Sequence, residues 1–268
     1  MIDLNRPVTA PALARFKAEG VPITMLTAYD ASLAARIDAA GVDCVLVGDS
    51  LGNVIQGQDS TLRVTVEDMV YHTRAVAQGL KRALLVADLP FMSYHDRSTA
   101  MDSAAALMRA GASMVKLEGG APVVEIVRAL VEHGIPVCAH LGLTPQHVHR
   151  LGGYRVQGRE QAPADALVED ALALQAAGAA LLVVECIPNE LGSRVSQSLE
   201  IPVIGIGAGA GVDGQVLVSY DMLGISPGRL PKFVRDFIAG TGSIPSALEA
   251  YVAAVRERRF PDAAESYE

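Results

Sequence analysis

A single (β/α)8 barrel (TIM barrel), an α/β fold, is the fold class that this sequence predicts, on three observations. Short apolar runs alternate with helical patterns eight times along the chain, as parallel strands joined by helices require. The length of 268 residues matches the roughly 250 that one such barrel takes. Four of the runs lead into a carboxylate, which gathers four acids at one end of the predicted sheet: Asp49, Asp88, Glu118 and Glu185.

An open, doubly wound sheet is the alternative fold. Against it, no Gly-rich phosphate-binding fingerprint follows the first strand, and eight regular repeats suit closure better. No low-complexity linker divides the chain. We therefore predict one domain over residues 1–268, with a short N-terminal helix and a polar C-terminal tail at 259–268.

The eight predicted strands are apolar runs too short for helices and bounded by Gly, Pro or polar residues. Such runs are typical of strands that are buried on both faces. In chain order they are residues 23–28, 44–47, 83–87, 114–117, 137–139, 181–184, 203–206 and 215–219.

The segments between the strands carry helical periodicity, and Gly or Pro marks many of their ends. Thr9 and Thr65 are predicted N-caps, the second supported by Asp68 three residues later. The predicted helices are residues 11–20, 32–40, 65–78, 99–110, 122–132, 163–177, 189–198, 231–239 and 245–256. Residues 51–63 and 141–158 show no periodicity, so we predict long loops of the kind that carry function.

Composition excludes several classes of function. The formal net charge is −8, and no Lys/Arg cluster with interleaved aromatic residues points to a nucleic acid. No run approaches the roughly 20 apolar residues of a membrane span, and the N-terminus lacks a signal-peptide pattern. Cys44, Cys138 and Cys186 lie in or beside apolar runs and are expected to be buried free thiols. We expect a soluble, cytoplasmic protein.

The acids at the carboxyl ends of the strands predict a metal site. Several carboxylates at one barrel mouth repel each other, and oxygen ligands favour Mg²⁺ over zinc. Asp49 and Asp88 are the best pair of direct ligands, and Glu118 reaches the ion directly or through water. The alternative for each acid is a helix cap, which is weakest for Asp49 and Asp88 because the residues after them do not start a helix.

Three further side chains are candidates for chemistry. Lys116 leaves its strand on the same face as Glu118, so it can hold an anionic substrate or a developing enolate oxygen. It could instead form an internal salt bridge; a Schiff base is disfavoured because adjacent anions raise the pKa of a lysine. His140 could bond a substrate oxygen or act as an acid, or be a satisfied histidine. Glu185 lies in an apolar setting that suits a general base or a core salt bridge.

The Gly-rich run at 207–211 is a weaker candidate. Successive glycines can form a cradle of backbone N–H groups for an anion. A close turn, or room for a bulky ligand, explains the same pattern. We leave these interpretations open at this point.

Nine blocks of sequence closely resemble ketopantoate hydroxymethyltransferase, also called 3-methyl-2-oxobutanoate hydroxymethyltransferase. The resemblance runs from about residue 9 to 258, with the blocks in the order of that family. Two departures, Asn53 and Arg63, lie in the loop after the second strand. The blocks are 48–52 (GDSLG), 70–73 (VYHT), 88–94 (DLPFMSY), 111–120 (GASMVKLEGG), 140–146 (HLGLTPQ), 152–158 (GGYRVQG), 185–188 (ECIP), 204–209 (IGIGAG) and 213–218 (DGQVLV).

The resemblance implies a Mg²⁺-dependent enzyme of pantothenate biosynthesis, a (β/α)8 barrel that assembles as a homodecamer. It implies transfer of a one-carbon unit from 5,10-methylenetetrahydrofolate to 3-methyl-2-oxobutanoate, giving 2-dehydropantoate and tetrahydrofolate. Taken with the residues themselves, it predicts three sets. The metal set is Asp49, Asp88 and Glu118; the oxoacid set is Asp49, Ser50, Asp88, Lys116 and His140; the catalytic set is Lys116 and the base Glu185.

Two other functions compete with this one. A Mg²⁺-dependent lyase or mutase of the phosphoenolpyruvate mutase–isocitrate lyase type would use a similar barrel and enolate chemistry without folate. A barrel that only binds an oxoacid as a regulator would show binding without turnover. The hydroxymethyltransferase is our leading hypothesis.

Overall fold

Eight parallel strands close into a barrel in the computed structural model, which describes residues 6–268. Neighbouring strands follow chain order, and the last strand pairs with the first. The predicted (β/α)8 barrel is therefore confirmed. The strands are β1 (Ile23–Thr27), β2 (Cys44–Val47), β3 (Leu84–Asp88), β4 (Met114–Glu118), β5 (Val137–Gly142), β6 (Leu181–Glu185), β7 (Val203–Ile206) and β8 (Gly214–Leu217).

Successive side chains of each strand divide between two buried apolar layers, because side chains alternate between the faces of a strand. Met25 and Val86 belong to the layer that fills the barrel. Leu26 and Val45 belong to the layer between the barrel and its helices. Both faces are thus covered, which explains why the strands are continuous apolar runs rather than alternating ones.

Helices surround the barrel, and the first of them closes its N-terminal end. In α1 (Ala10–Ala18), Leu13 and Phe16 join the interior apolar layer. The remaining helices are α2 (Ala31–Ala39), α3 (Leu51–Val54), α4 (Val66–Gly79), α5 (Arg97–Arg109), α6 (Val124–Glu132), α7 (Val148–Leu151), α8 (Gln161–Ala176), α9 (Asn189–Ser198), α10 (Ser219–Met222) and α11 (Ile244–Arg256).

Both predicted N-caps are confirmed. The Thr9 side chain accepts a hydrogen bond from the backbone of Ala12 at the start of α1. Thr65 and Asp68 form a reciprocal capping box at the start of α4. These caps satisfy backbone donors that would otherwise lack partners in the first turn.

The predicted helix over 231–239 is wrong. The chain passes through turns there, and both Gly240 and Gly242 after it have positive φ. Phe233 and Phe237, four residues apart, gave the segment a helical spacing. In the structure both rings are buried, while Arg235 between them binds the end of the chain. The apolar spacing therefore reflects burial rather than a helix.

The two predicted loops are more ordered than expected. Residues 51–63 contain α3 and a 3-10 turn at Thr61–Arg63. Residues 141–158 contain the end of β5, a 3-10 turn at Pro145–His147, and α7. These pieces are one turn long, which is too short to produce a recognisable period in the sequence.

The C-terminal segment 259–268, expected as a polar tail, folds back onto the barrel. Phe260, Glu265 and Ser266 are buried, and Ala263–Glu265 form a 3-10 turn.

The three cysteines are buried free thiols, as predicted. In the described part of the chain, no helix has both the length and the apolar character needed to cross a membrane.

Candidate active site

The predicted site residues meet in a cavity of about 710 Å³ at the carboxyl ends of the strands. In β3 to β6, side chains at every second position point into the barrel, and at the carboxyl ends of these strands the inward positions change from apolar to polar. Asp49 and Ser50 follow the end of β2. All seven predicted residues line the cavity: Asp49, Ser50, Asp88, Lys116, Glu118, His140 and Glu185.

Asp88 is the centre of one half of the cavity floor. Its Oδ1 atom accepts a hydrogen bond from Lys116 Nζ at 2.7 Å, and its Oδ2 atom accepts one from the backbone N–H of Asp49 at 3.0 Å. All three side chains are buried. The alternative considered for Lys116, an internal salt bridge, is therefore present, with Asp88 as its partner.

Opposing effects act on the charges of this half. Burial lowers the pKa of Lys116, but Asp88, Glu118 and Asp49 raise it above its usual value. Lys116 is thus a fixed cation, as the argument against a Schiff base requires. Burial, and then the charges of Asp88 and Glu118, raise the pKa of Asp49 to about 8. Asp49 is an acid that needs additional positive charge to stay ionised.

His140 bridges two carboxylates in the other half of the floor. Its Nδ1 atom lies 3.1 Å from Glu118 Oε1, and its Nε2 atom lies 3.2 Å from Glu185 Oε2. The second approach does not have hydrogen-bond geometry, so the buried Nε2 atom has no hydrogen-bond partner among residues 6–268. It is available to a ligand oxygen.

Neighbouring charges also set the protonation states of His140 and Glu118 in this half of the floor. Burial and Lys116 lower the pKa of His140, but Glu118 raises it to about 9. Burial raises the pKa of Glu118, but His140 and Lys116 hold it below its usual value. An imidazolium with two donors and an ionised Glu118 follow near neutral pH. Glu185, with a side chain that is 15% exposed, lies at the cavity surface, where it can reach a substrate.

Ser50 is held in place by a residue that sequence reasoning missed. The hydroxyl groups of Tyr29 and Ser50 lie 2.8 Å apart, and Tyr29 is buried after the end of β1. Tyr29 and Asp30 follow the first predicted strand directly, the position that identified the four acids. A tyrosine at a strand end was the available signal.

Gln146 was also missed, and it connects both halves of the floor. Its Nε2 atom donates to Asp49 Oδ2 at 2.9 Å and to the carbonyl of Leu89 at 3.0 Å. Its backbone N–H donates to Glu118 Oε2 at 3.0 Å, and its Oε1 atom accepts from the Tyr94 hydroxyl at 2.5 Å. Gln146 lies in a quoted sequence block and in a loop predicted to be functional, but nothing in the sequence distinguished it there.

Replacing this amide tests the connection. In Gln146→Leu, the Tyr94 hydroxyl and the Leu89 carbonyl lose a buried partner, so we expect the free energy of unfolding to fall by about 1–3 kcal/mol. Asp49 also becomes less well oriented, and we expect divalent-cation affinity to fall about 10- to 100-fold. Urea unfolding and calorimetry measure the two effects. Gln157→Leu, which removes a local bond to Arg155, is the control and should change neither.

The residues present fit a hard divalent cation. Asp49 and Asp88 offer carboxylate oxygens at one edge of the cavity, and the raised pKa of Asp49 marks a shortage of positive charge. Each oxygen of Asp88 and of Glu118 accepts one hydrogen bond, which leaves each oxygen a second lone pair. No group of three His, Cys, Asp or Glu side chains within residues 6–268 is arranged to hold a metal ion. The donor set is thus two carboxylates with open positions, as Mg²⁺ commonly uses with a substrate.

The helix-cap alternative does not apply to the two key acids. A helix, α3, does start two residues after Asp49, contrary to expectation, but it has no side-chain cap. The helix after Asp88, α5, is capped by Asp96. Both Asp49 and Asp88 are therefore free to face the cavity.

The Gly-rich run at 207–211 is a close turn. A Cβ atom at Gly209 would overlap the side chain of Asn189, and one at Gly211 would overlap Ser193. Both of those residues belong to α9, so the glycines allow α9 to pack directly on the loop. The close-turn interpretation is the one that the structure supports.

The rim of the cavity is aromatic and basic, unlike the acidic floor. Asn53, one of the two residues that depart from the family pattern, donates a hydrogen bond to the carbonyl of Gln58 and so stabilises the loop after β2. Arg63, the other such residue, is exposed at the end of its 3-10 turn. The rim side chains outside the predicted set include Tyr154, Arg155, Arg229, Lys232, Phe233 and Tyr267.

Comparison with known proteins identifies close relatives along the whole chain. The family model described as ketopantoate hydroxymethyltransferase matches residues 7–263. A 3-methyl-2-oxobutanoate hydroxymethyltransferase of Alkalilimnicola ehrlichii is 59% identical over 98% of this chain and 95% of its own length. Those of Nitrosococcus oceani (59%, over 95% and 97%) and Shewanella loihica (56%, over 97% and 98%) are similar.

Solved structures with the same fold are more distant in sequence. Phosphonopyruvate hydrolase is 14% identical, with a TM-score of 0.61 over 79% of this chain and 80% of its own. For 2,3-dimethylmalate lyase the values are 18%, 0.57, 84% and 83%. At such identities the likeness supports the barrel alone.

Proposed function

Because the chain belongs to the ketopantoate hydroxymethyltransferase family, we propose that the cavity binds 3-methyl-2-oxobutanoate together with 5,10-methylenetetrahydrofolate. The enzyme transfers a hydroxymethyl group from the folate to the oxoacid, giving 2-dehydropantoate and tetrahydrofolate in pantothenate biosynthesis. Water supplies the oxygen of the new hydroxyl group. The roles of individual residues below are our proposal.

One observation carries the assignment of roles: a fixed cation and a carboxylate base occupy the same floor. Lys116, held by Asp88 at 2.7 Å, offers positive charge to an anionic oxygen. Glu185 lies on the other half, beside His140. An oxoacid bound between them places its C3–H bond toward Glu185 and its oxygens toward Lys116.

Glu185 acts as the base that removes the C3 proton. As it does so, negative charge develops on the keto oxygen, and preorganised donors stabilise such charge most effectively in a buried site. Lys116 and the Nε2–H of His140, which has no hydrogen-bond partner within the described part of the chain, are donors that can meet this charge. Ser50, fixed by Tyr29, orients the oxoacid. C3 then bonds to the methylene carbon as one folate nitrogen leaves it, and water displaces the second nitrogen; the proton held by Glu185 and one proton of the water go to the two nitrogens.

A divalent cation, which we propose is Mg²⁺, would be held by Asp49 and Asp88. When bound, it withdraws charge from the keto and carboxylate oxygens and makes the C3 proton more acidic. We propose that Glu118 stays outside the direct ligands because it belongs to the other half of the floor, where its two oxygens bond to His140 and Gln146. Its part is to hold His140 and the Gln146 loop in position.

The size and composition of the cavity support a second, larger substrate. A volume of about 710 Å³ exceeds what an oxoacid with five carbons fills. The rim outside the floor offers the aromatic Tyr154 and the basic Arg155 and Arg229. A flat pterin ring and the glutamate carboxylates of a folate match those two kinds of group.

A Mg²⁺-dependent lyase or mutase is the second candidate. Its support is a similar fold with low sequence identity: phosphonopyruvate hydrolase, solved with oxalate and Mg²⁺, is 14% identical to this chain. Product formation from the oxoacid without any folate would identify this alternative.

We also propose that the enzyme is cytoplasmic and assembles as a homodecamer. Exposed Tyr71 and Met92 offer apolar surface for contacts between subunits. Sedimentation velocity would test the assembly.

The proposed function is tested by proton NMR of 3-methyl-2-oxobutanoate in D₂O, with the enzyme and Mg²⁺ but no folate. We expect the C3 proton signal to disappear, and EDTA to prevent the loss. If the signal persists, tetrahydrofolate is added, because occupancy of the folate site can be required first. Persistence in its presence would contradict the substrate assignment.

A further inference from the structure

The last residues of the chain form part of the cavity wall. Tyr267 lines the cavity together with Cys186, Lys232 and Phe233, although it is the penultimate residue of the sequence. The family model ends at residue 263, so this contribution lies beyond the matched pattern. We call residues 260–268 the C-terminal strap.

The strap is anchored to the segment after β8 by charge. Arg235 Nε lies 2.6 Å from Glu265 Oε1, and Arg235 Nη2 lies 3.1 Å from Asp262 Oδ2. The guanidinium also covers the ring of Phe260 at 5.1 Å. Lys232 Nζ donates to the carbonyl of Ser266. These contacts hold the strap against residues 232–235.

A second set of contacts fixes the strap on the barrel mouth beside the proposed base. The backbone N–H of Asn189 donates to the carbonyl of Tyr267 at 2.9 Å. A Cβ atom at Gly207 would lie 3.1 Å from Tyr267 Cε2 and 2.9 Å from Phe233 Cδ1. Only glycine, with φ of 62°, leaves room for the two rings at the end of β7.

Tyr267 and Cys186, the residue after Glu185, both line the cavity, and their side chains are close enough to interact electrostatically. Cys186 is 6% exposed. Cys186 has φ of 47°, an uncommon conformation for a residue other than glycine. The strap thus adjoins the segment that carries Glu185 and Cys186.

We propose that Tyr267 is a specificity-determining residue, and that the strap holds its ring as a wall which limits the size of the alkyl group accepted beside Glu185. The inference rests on the proposed function in one respect: if Glu185 removes the C3 proton, the two methyl groups on C3 lie near it. The ring, rather than the hydroxyl, supplies this wall, since packing on Gly207 and Phe233 requires only the ring.

The wall is tested without activity by alkylating Cys186 with iodoacetamide and locating the label by mass spectrometry. In Tyr267→Ala, we expect the rate at Cys186 to rise at least about tenfold, because thiol reactivity follows exposure. Cys44 and Cys138, both fully buried in the barrel, are internal controls. Tyr267→Phe should remain protected.

A second variant separates the strap from the side chain itself. Arg235→Leu removes the anchor and should expose Cys186 as Tyr267→Ala does. Arg97→Leu is the matched control, since its ion pair with Glu125 is exposed on both sides and lies on the outer helices. Unchanged Cys186 reactivity in both Tyr267→Ala and Arg235→Leu would overturn the wall.

Specificity is read from C3 proton exchange with two oxoacids, 3-methyl-2-oxobutanoate and its homologue 3-methyl-2-oxopentanoate, which is longer by one methylene. One methylene in an apolar pocket changes specificity by roughly 10- to 200-fold. We expect Tyr267→Ala to shift the ratio toward the longer acid at least about threefold, which is less than the full effect of one methylene because only one wall is removed.

A merely structural role would lower exchange of both acids equally, and that result would overturn the specificity proposal. A wild-type enzyme that exchanges neither acid contradicts the proposed function instead. Alkylation of Cys186 then still decides whether the strap covers the cavity. The two failures are therefore distinguishable.

Discussion

Glu185→Gln is expected to slow exchange of the C3 proton by about 100- to 10,000-fold, the range that a positioned base contributes to a rate. The amide has nearly the same shape but cannot accept the proton. Glu185 lies 3.2 Å from His140 Nε2 through Oε2, and a glutamine oxygen can take the same place. The fold and the rest of the floor should be unchanged.

Binding and exchange must be measured together for this variant. Calorimetry should show that Glu185→Gln still binds Mg²⁺ and 3-methyl-2-oxobutanoate, while NMR in D₂O shows the slowed exchange. Glu190→Gln, an exposed acid in the first turn of α9, is the matched control and should exchange at the wild-type rate. Exchange at that rate in Glu185→Gln would remove Glu185 as the base.

Asp49→Ala is expected to weaken Mg²⁺ binding at least about 100-fold, since loss of an outer partner alone costs 10- to 100-fold. Only two carboxylates are proposed as direct ligands, so removing one takes away half of their negative charge. Asp49 Oδ2 is bonded to Gln146, whereas no hydrogen-bond partner of its Oδ1 atom appears within the described residues. That oxygen is the one available to an ion.

The control for this change is Asp59→Ala, because Asp59 is an exposed carboxylate at the outer rim of the same cavity. Removing it changes the net charge equally but takes no ligand away. Calorimetric titration with Mg²⁺ should show wild-type affinity for Asp59→Ala and a large loss for Asp49→Ala. Equal affinity in the two variants would strike Asp49 from the ligand set.

Much of the site was predictable because a short, doubly buried strand has a simple sequence pattern. Inside a barrel each strand must be apolar on both faces, so the point where polar residues begin marks its carboxyl end. That rule located Asp88, Lys116, Glu118 and Glu185 from their neighbours alone. It placed them on one surface without any knowledge of how the strands pair.

Gln146 and Tyr267 could not be found in this way. Gln146 bonds to Asp49 across 97 residues of sequence, and nothing near it in the chain indicates that distance. Tyr267 lies in a polar segment whose composition is typical of a free tail, yet Arg235 and Asn189 hold it on the barrel. The error over 231–239 belongs to the same region, where apolar residues are buried by irregular backbone.

The sequence by itself determined the barrel, the end of it that carries the candidate site, and seven of the residues that line the cavity. These follow from local patterns: the two-residue period of strands and the position of charged residues after apolar runs. Only the tertiary structure decided the partners, with Lys116 on Asp88, His140 between Glu118 and Glu185, and the strap across the rim. The physical reason is that burial and the pairing of charges depend on contacts between distant segments, which local patterns do not contain.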